Sequence, residues 1–331
     1  MKIMWSALSN DTRHGYGHVG VELFKVFERL GVDFVPLDHF GWDCQVTVGL
    51  PMSWVVGTSL RPDLVYHTMF EFEPVPSGWI DVLNRVGLVW FPSKASQALF
   101  VKYGLKTPSF VAGYGVDTDI FYFEDRSKRD SERLKFLVWG HKLTGRKNVL
   151  RTINAFISAN LPDVDLEVKL RDRMSASYVK SSDGTIYSNI TIYAQDWSRY
   201  QLASWLRSGD VLIYLSGGEG FGLQPLEAMA TGLPVICTDT GGMKEYLSDD
   251  VAYLVPTTGR RIGDPTYDSR FSGTYTCEEP DYDAAVQWMR HIRYNIDEAR
   301  VKGLSASQMV STTWTWDHQG LLALNQLRNF Y

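Results

Sequence analysis

The 331-residue sequence predicts an α/β protein made of two doubly wound, parallel-sheet domains. Three observations carry that reading. Short apolar β-type runs alternate with helix-period runs along most of the chain. The alternation comes in two series, separated by the charged run EDRSKRDSERLK at 124–135. The length suits two cores of roughly 150 residues rather than one.

The elements follow in order. KIMWSAL (2–8) reads as a buried strand, and the polar, glycine-containing stretch SNDTRHGYGHVG reads as the loop after it. VELFKVFERLG has apolar residues at helical spacing, with Gly31 as its C-terminal glycine. VDFVPL completes a β-loop-α-β opening. Further strands are expected at 63–67 (DLVYH) and 87–91, with a helix over 93–103 capped by Ser93, and SFVAGYG is strand then turn.

After the charged run, which reads as an interdomain linker, FLVWG is a strand and 148–159 a helix. VDLEVKL and NITIYA are strands, and 198–207 is a helix. DVLIYLS is a strand, 223–231 a helix, PVICTD a strand, and 281–299 one long helix. Residues 257–279 lack periodicity and are expected to form a long loop or hairpin, possible cover for a cleft or mere surface decoration.

Composition narrows the function classes. Hydrophobic residues make up 44 %, enough for two cores, and the 11 tryptophans and 17 tyrosines are a high aromatic load. The net charge of −5 argues against a general nucleic-acid or membrane-surface binder. Residues 1–122 hold nine Lys/Arg against twelve Asp/Glu, with no basic stripe. Cys44, Cys237 and Cys277 form no CxxC pair and read as reduced thiols. The first residues do not read as a signal peptide, and no apolar run reaches 18 residues. A cytoplasmic protein is the expectation.

The stretch YLSGGEGFGLQPLEAMATGLPVICTDTGG (214–242) carries the most chemistry. A strand ends there in a glycine loop that opens a helix. Such a loop lets backbone N–H groups approach a ligand, and the helix N-terminus favours an anion such as phosphate. Glu219 and Glu227 would repel phosphate, so they need another partner. A carboxylate only accepts hydrogen bonds, and hydroxyl pairs suit it. A nucleotide-sugar has hydroxyls at both ends and phosphates between. The bland alternative is two surface glutamates beside an ordinary βα turn.

This E-x7-E stretch resembles the signature of the family 4 retaining glycosyltransferases, which have the GT-B fold. The resemblance extends over most of the chain. FLVWGHKLTGRKNVLRTINAF is similar to the first strand, phosphate loop and helix of their donor domain. FPSKASQALFVKYGL with VAGYGVDTDIFYF is similar to the end of their acceptor domain, GYGHVGVELFKVFERLG to their first loop and helix, and TWTWDHQGLLAL to their closing helix. Two departures stand out. Gly113-Tyr114-Gly115-Val116-Asp117 replaces the usual Pro-His-Gly-Val-Asp, and the donor loop opens Gly140-His141 rather than Gly-Arg, leaving Lys142 as the candidate replacement cation.

The resemblance implies an acceptor domain over 1–123, a donor domain over 124–314, and a closing helix, 315–331, that returns to the first domain, the two facing a cleft. It places Lys147 and Arg146 at the donor phosphates, Glu227 on ribose hydroxyls and Glu219 on the transferred sugar, with backbone groups of Gly220, Phe221, Gly222 and Leu223 nearby. Cations at a helix start oppose its dipole, which weakens a purely structural reading of Arg146 and Lys147. Gln195 and Asp196 follow the strand where nucleobase contacts are common in the family. Gly15 and Gly17 would bring the first loop near the donor phosphate, unless they only serve a tight turn. His67, at the end of a strand, is a candidate catalytic residue, with Glu71 and Glu73 beside it; a lone histidine is as readily a core hydrogen-bonder. The DTD at 117–119 imitates a metal motif but reads as a turn.

The implied activity is retaining transfer of a sugar from a nucleotide-diphosphate-sugar, UDP- or GDP-linked, to an acceptor hydroxyl, with no metal and no separate cofactor. The acceptor is a saccharide, a lipid-linked saccharide, a protein or modified DNA. The alternatives are another GT-B enzyme, such as an epimerase or phosphorylase, and a non-catalytic carbohydrate-binding module.

Overall fold

The computed structural model describes residues 1–7, 15–36, 41–51, 61–127, 129, 133–171, 187–262 and 274–331. Part of the first loop (8–14) and the middle of the 257–279 stretch therefore lie outside the described residues. The chain divides into two compact units: Met1–Gly115 with Thr313–Tyr331, and Val116–Thr312.

The first unit holds a six-stranded sheet ordered β2-β1-β3-β4-β5-β6. Its strands are β1 (Lys2–Ala7), β2 (Asp33–Val35), β3 (Cys44–Val48), β4 (Leu64–His67), β5 (Leu88–Phe91) and β6 (Ser109–Val111), all paired parallel. The helices are α1 (Gly15–Arg29), α2 (Ser77–Leu83) and α3 (Lys94–Lys102). Ser93 caps α3 by accepting from Ser96 N at 3.1 Å, and Gly31 takes the expected left-handed conformation past α1. Much of the aromatic load is core: Phe27, Trp90 and Phe110 stack in series, with centroids 6.2 and 5.6 Å apart. The last helix, α9 (Trp316–Phe330), belongs to this unit. Gln319 Oε1 accepts from Gly113 N, and a Cβ on Gly320 would lie 2.2 Å from Val26 Cγ1, so that glycine lets α9 lie close on α1.

The second unit holds the sheet β12-β11-β10-β7-β8-β9, again all parallel. The strands are β7 (Leu134–Trp139), β8 (Val164–Leu170), β9 (Ile190–Ala194), β10 (Val211–Tyr214), β11 (Val235–Thr238) and β12 (Tyr253–Val255). Phe136, Val138, Leu166, Val168, Val211, Ile213 and Ile236 form the buried sheet core with Ile153 and Phe156 of α4 (Val149–Ala159) and Met289 of α7 (Tyr282–Tyr294). Helices α5 (Arg199–Ser208), α6 (Leu223–Ala230) and α8 (Ile296–Thr313) complete the series. Strands β13 (Thr257–Ile262) and β14 (Thr276–Pro280) pair antiparallel, so the aperiodic stretch is a hairpin at its base.

Several expectations need correction. Helix α1 starts at Gly15, so Gly15 and Gly17 lie in its first turn, not in a loop. Strands β3 and β12 and helix α2 were not read from the sequence. The long helix expected over 281–299 is two helices meeting at Asn295, whose φ of −132° is not helical. The described part of the charged run at 124–135 (124–127, 129 and 133–135) is no free linker. The Arg126 guanidinium is buried and donates to the carbonyls of Leu206 and Gly209 at 3.0 Å and of Thr231 at 2.6 Å, capping the C-terminal ends of α5 and α6. Arg129 reinforces this through Arg207 O (2.5 Å) and Gly209 O (2.8 Å). With Glu124 N also donating to Thr231 O, the units divide at Gly115/Val116 and not at 123/124.

Among the described residues, no helix is long and apolar enough to cross a membrane. All three cysteines are buried free thiols.

Candidate active site

The order of the second sheet decides which loops meet. Strand β7 is central: the chain runs outward through β8 and β9 on one side, then returns to β10, β11 and β12 on the other. The reversal between β7 and β10 is a topological switch point, and ligands bind at the carboxyl ends of strands there. The two loops at that point are 140–148, after β7, and 215–222, after β10.

The 215–222 loop is pressed between two backbone walls. A Cβ on Gly217 would lie 2.5 Å from Glu278 O of β14. Cβ atoms on Gly241 and Gly242, in the 3-10 turn Gly241–Glu245, would lie 2.5 Å from Glu219 O and 2.1 Å from Gly220 O. Backbone bonds close both contacts: Glu278 N donates to Gly217 O and Gly242 N to Glu219 O, each at 2.7 Å. Gly222 starts α6 with φ +89°, its carbonyl accepting from Tyr246 Oη at 2.5 Å. No side chain caps α6 and its first turn has no acidic residue, so its leading amides suit an anion.

Glu219 is brought to the centre of this arrangement. Its Oε1 lies 2.6 Å from Arg146 Nη1 and 3.4 Å from Lys147 Nζ, and accepts from Tyr214 Oη at 2.6 Å and Ser216 Oγ at 2.9 Å. Burial acts to raise its pKa. The charges of Arg146 and Lys147, with the two hydroxyl bonds, outweigh burial and hold it at about 2. Glu219 is therefore an ionised, purely accepting group.

The two cations differ. The Arg146 side chain is only 6 % exposed and also donates to Gly218 O, which locks it into the loop. Lys147 is 21 % exposed, lies 5.0 Å over the Tyr214 ring, and bonds Tyr214 Oη and Gln224 Oε1. Lys142 is in the same 140–148 loop, its Cε 3.5 Å from where a Cβ on Gly145 would sit.

Glu227 lies one helical segment away, buried on α6. Its Oε1 accepts from Arg199 Nη2 at 2.9 Å. Here burial wins over the Arg199 charge, and the pKa is raised. The Arg199 guanidinium also lies 4.8 Å over the Phe121 ring. Arg199 opens α5, whose capping box is Ser198 and Gln201. Gln195 and Asp196 lie just before that cap, where Gln195 O accepts from the buried Lys169 Nζ at 2.6 Å and Asp196 pairs with Arg171 at 3.0 Å. Phe221 is buried against Tyr246.

His67 is not part of an open site. It is fully buried in the first unit; Nδ1 is 2.9 Å from Trp90 O and Nε2 is 2.9 Å from Tyr114 Oη, and burial lowers its pKa to about 3. Both ring nitrogens are used, so it is a neutral core histidine. Glu73 is tied to Lys102 and to Tyr103 Oη. The DTD stretch is a turn in which Asp117 Oδ1 accepts from Asp119 N at 3.1 Å. Among the described residues, no group of three or more His, Cys, Asp or Glu side chains is placed to hold a metal ion.

Sequence reasoning missed Tyr214, Ser216, Gln224 and Arg199. For Arg199 a signal existed: it is a cation at a helix start, where it opposes the dipole, the argument already applied to Arg146 and Lys147. For Tyr214 the strand pattern hid it.

The comparisons with known proteins follow this geometry. Residues 123–261 match the family described as glycosyl transferases group 1. The chain is 33 % identical over 150 residues to a D-inositol 3-phosphate glycosyltransferase of Paenarthrobacter aurescens, covering 42 % of this chain and 37 % of that protein. It is 28 % identical over 154 residues to an alpha-1,3/1,6-mannosyltransferase of Kluyveromyces lactis, covering 45 % and 29 %. These matches span 37 % and 29 % of the curated relatives' own length. Among solved structures, the sucrose-phosphate synthase of Thermosynechococcus elongatus superposes with a TM-score of 0.74 at 14 % identity, covering 99 % of this chain and 98 % of that one. Anabaena HepE in complex with UDP-glucose gives 0.73 at 15 % identity, covering 99 % and 100 %. At such identities the likeness concerns the fold. Residues 123–261 thus match the glycosyl transferases group 1 family, in a chain with the GT-B fold of two parallel-sheet α/β units.

Proposed function

We propose that this chain transfers a sugar from a nucleoside-diphosphate sugar to an acceptor hydroxyl, with retention and without a metal. The observation that carries the reading is the meeting of Glu219, Arg146 and Lys147 at the β7/β10 switch point, beside the uncapped α6 terminus. A diphosphate leaving group needs positive charge, a sugar needs hydroxyl acceptors, and this arrangement supplies both within one loop pair. The solved complex of HepE with UDP-glucose supports a UDP-linked donor, with GDP-linked donors as the other class to test.

On this reading Lys147, the more exposed cation, takes the diphosphate, with Gly220 to Leu223 amides. Arg146 adds its charge at the diphosphate from behind, keeps Glu219 ionised and holds the loop in place. Glu219 accepts from hydroxyls of the transferred sugar, and Glu227 from the ribose, with Gln195 and Asp196 on the path to the base. Gly15 and Gly17, in the first turn of α1, remain proposed donor contacts, and Lys142 a proposed third cation at the phosphates. The first unit is left to the acceptor: saccharide, lipid-linked saccharide, protein or modified DNA. Attack comes from the face that the leaving group departs, and a donor phosphate oxygen takes the acceptor proton. The enzyme contributes orientation and charge stabilisation.

A thermal-shift panel of UDP-, GDP-, ADP- and dTDP-sugars tests the reading. A ligand at 100 times its Kd stabilises the fold by about 2.7 kcal/mol. One nucleotide class should raise Tm clearly, and release of nucleoside diphosphate with an acceptor present should follow. A panel with no shift and no turnover would sink it.

A further inference from the structure

We infer that the β13–β14 hairpin is a positioning element for the cation loop, and that Arg261 is its working residue. The inference rests on the proposed function in one respect: that Lys147 and Arg146 meet a nucleoside diphosphate.

The 140–148 loop is not held by regular backbone. Gly145 has φ +104° and Asn148 has φ +53°, the latter a left-handed conformation in a non-glycine residue directly after Lys147. Such a residue stays put only where its surroundings over-determine it. Asn148 is buried and its amide is used at both ends: Nδ2 donates to Leu215 O at 2.7 Å, and Oδ1 accepts from Arg261 Nη2 at 2.5 Å. The same Nη2 lies 3.2 Å from Gly145 O and donates to it. One guanidinium therefore grips both left-handed positions, on either side of Arg146 and Lys147.

The hairpin is anchored where it does this. Glu279 of β14 pairs with Arg151 of α4 through Oε1, and its Oε2 lies 2.7 Å from Arg261 Nε, a close ion pair without hydrogen-bond alignment. Arg261 is 19 % exposed at its side chain, so it is a wall residue and not a solvated charge. Glu278 N holds Gly217 O at 2.7 Å, and Gly217 N holds Arg146 O at 2.8 Å. The hairpin thus ties together both loops of the switch point. Arginine suits the task because Nη2 carries two hydrogens for the two acceptors while Nε of the same plane faces Glu279; the single nitrogen of a lysine does not reproduce both sides.

The test compares the full chain with Arg261→Ala, Arg261→Lys, Asn148→Gly and the double variant Arg261→Ala/Asn148→Gly. Hydrogen exchange in the ligand-free protein is read over residues 140–152, where Asn148 N, Leu150 N and Thr152 N are bonded at 3.1, 3.0 and 2.8 Å. Affinities for UDP and GDP are measured by calorimetry. Arg261→Ala should speed exchange in that segment about tenfold, with α7 unchanged, and weaken the preferred nucleotide about tenfold. Arg261→Lys should recover part of both, and adding Asn148→Gly should cost little more. Exchange that rises evenly over the second unit, with affinity kept, would reduce Arg261 to a stabilising residue and overturn the inference. Lost affinity with unchanged exchange would make Arg261 a direct ligand contact, which also overturns it. Fully additive effects would break the route through Asn148. If the wild type bound neither nucleotide, the proposed function would fail, while the exchange data would still decide the tether.

Discussion

At the scale of single residues, the two glutamates of the glycine loop and α6 are chemically opposite. Glu219 is held ionised by two cations; Glu227 is buried beside one, with its pKa raised. A charge-assisted bond contributes roughly 1.5–3 kcal/mol, or about ten- to a hundredfold. Glu227→Gln should therefore weaken nucleoside diphosphate binding about tenfold or more. Glu219→Gln should not weaken it, because removing a carboxylate leaves Lys147 and Arg146 more attractive to phosphate, yet sugar transfer should fall by a similar factor. Calorimetry with the nucleotide and initial rates with the donor separate the two. If Glu219→Gln lost nucleotide affinity while Glu227→Gln kept it, the roles would be reversed.

The same two residues have opposite pH signatures. The unfolded carboxyl titrates near 4.5 and folded Glu219 near 2, so between those values the unfolded state binds the extra proton. Stability from Glu219 is complete above about pH 4.5 and is lost as pH falls toward 2. Folded Glu227 binds its proton above 4.5, so its ionisation detracts from stability as pH rises through its folded pKa. Denaturation across pH 2 to 7 should show a flatter acid limb in Glu219→Gln, and the reverse change in slope above pH 4.5 in Glu227→Gln.

At the scale of elements, the glycines are not equivalent. Gly217→Ala would force a Cβ against Glu278 O at 2.5 Å, where only backbone can yield, and overpacking of that kind costs roughly 1–3 kcal/mol. It should also displace the loop and lower nucleotide affinity. Gly15→Ala meets nothing within 4 Å at the start of α1 and should change stability by no more than about 0.5 kcal/mol. Equal effects on Tm would contradict the packing described. Arg126 is the other decisive contact between elements. Arg126→Met leaves helix-end carbonyls of α5 and α6 without their donor, at roughly 1–3 kcal/mol for each buried acceptor. A loss of about 3 kcal/mol, or roughly 6–12 °C in Tm for a unit of this size, is expected. A variant as stable as the parent would return 124–135 to the status of a linker.

At the scale of the whole molecule, the proposed function has Lys147, Arg146 and the α6 terminus supply the charge that a leaving diphosphate requires. Transfer should therefore persist in excess EDTA, within about twofold of the untreated rate. Abolition by EDTA with recovery on adding magnesium or manganese would require a metal in the mechanism and a new reading of Asp117 and Asp119. The chain also closes on itself: its last helix joins the first unit through Gln319, Gly320 and the buried Trp316, Leu324 and Leu327.

The sequence by itself determined most of the elements and the two-sheet class, because periodicity and turn residues act locally. It also placed Glu219 on a glycine loop and Glu227 on the helix that follows, because a strand, a glycine loop and a helix succeed one another within 214–242. Strand β3 escaped because CQVTV is short and carries two polar residues, though it is central in its sheet. Tertiary structure alone decided the rest. His67 looked like a rim residue because strand ends are usually open; Tyr114 and Trp90, 47 and 23 residues away, close over it. The charged run looked solvated because Arg126 finds its acceptors about 80 to 105 residues further along the chain. Arg146 and Lys147 meet Glu219 across some 70 residues because β7 and β10 lie side by side, and Arg261 reaches Asn148 across 113. Local rules name the groups, but only the strand order says which of them share one dielectric pocket, and there the pairing fixes their charge.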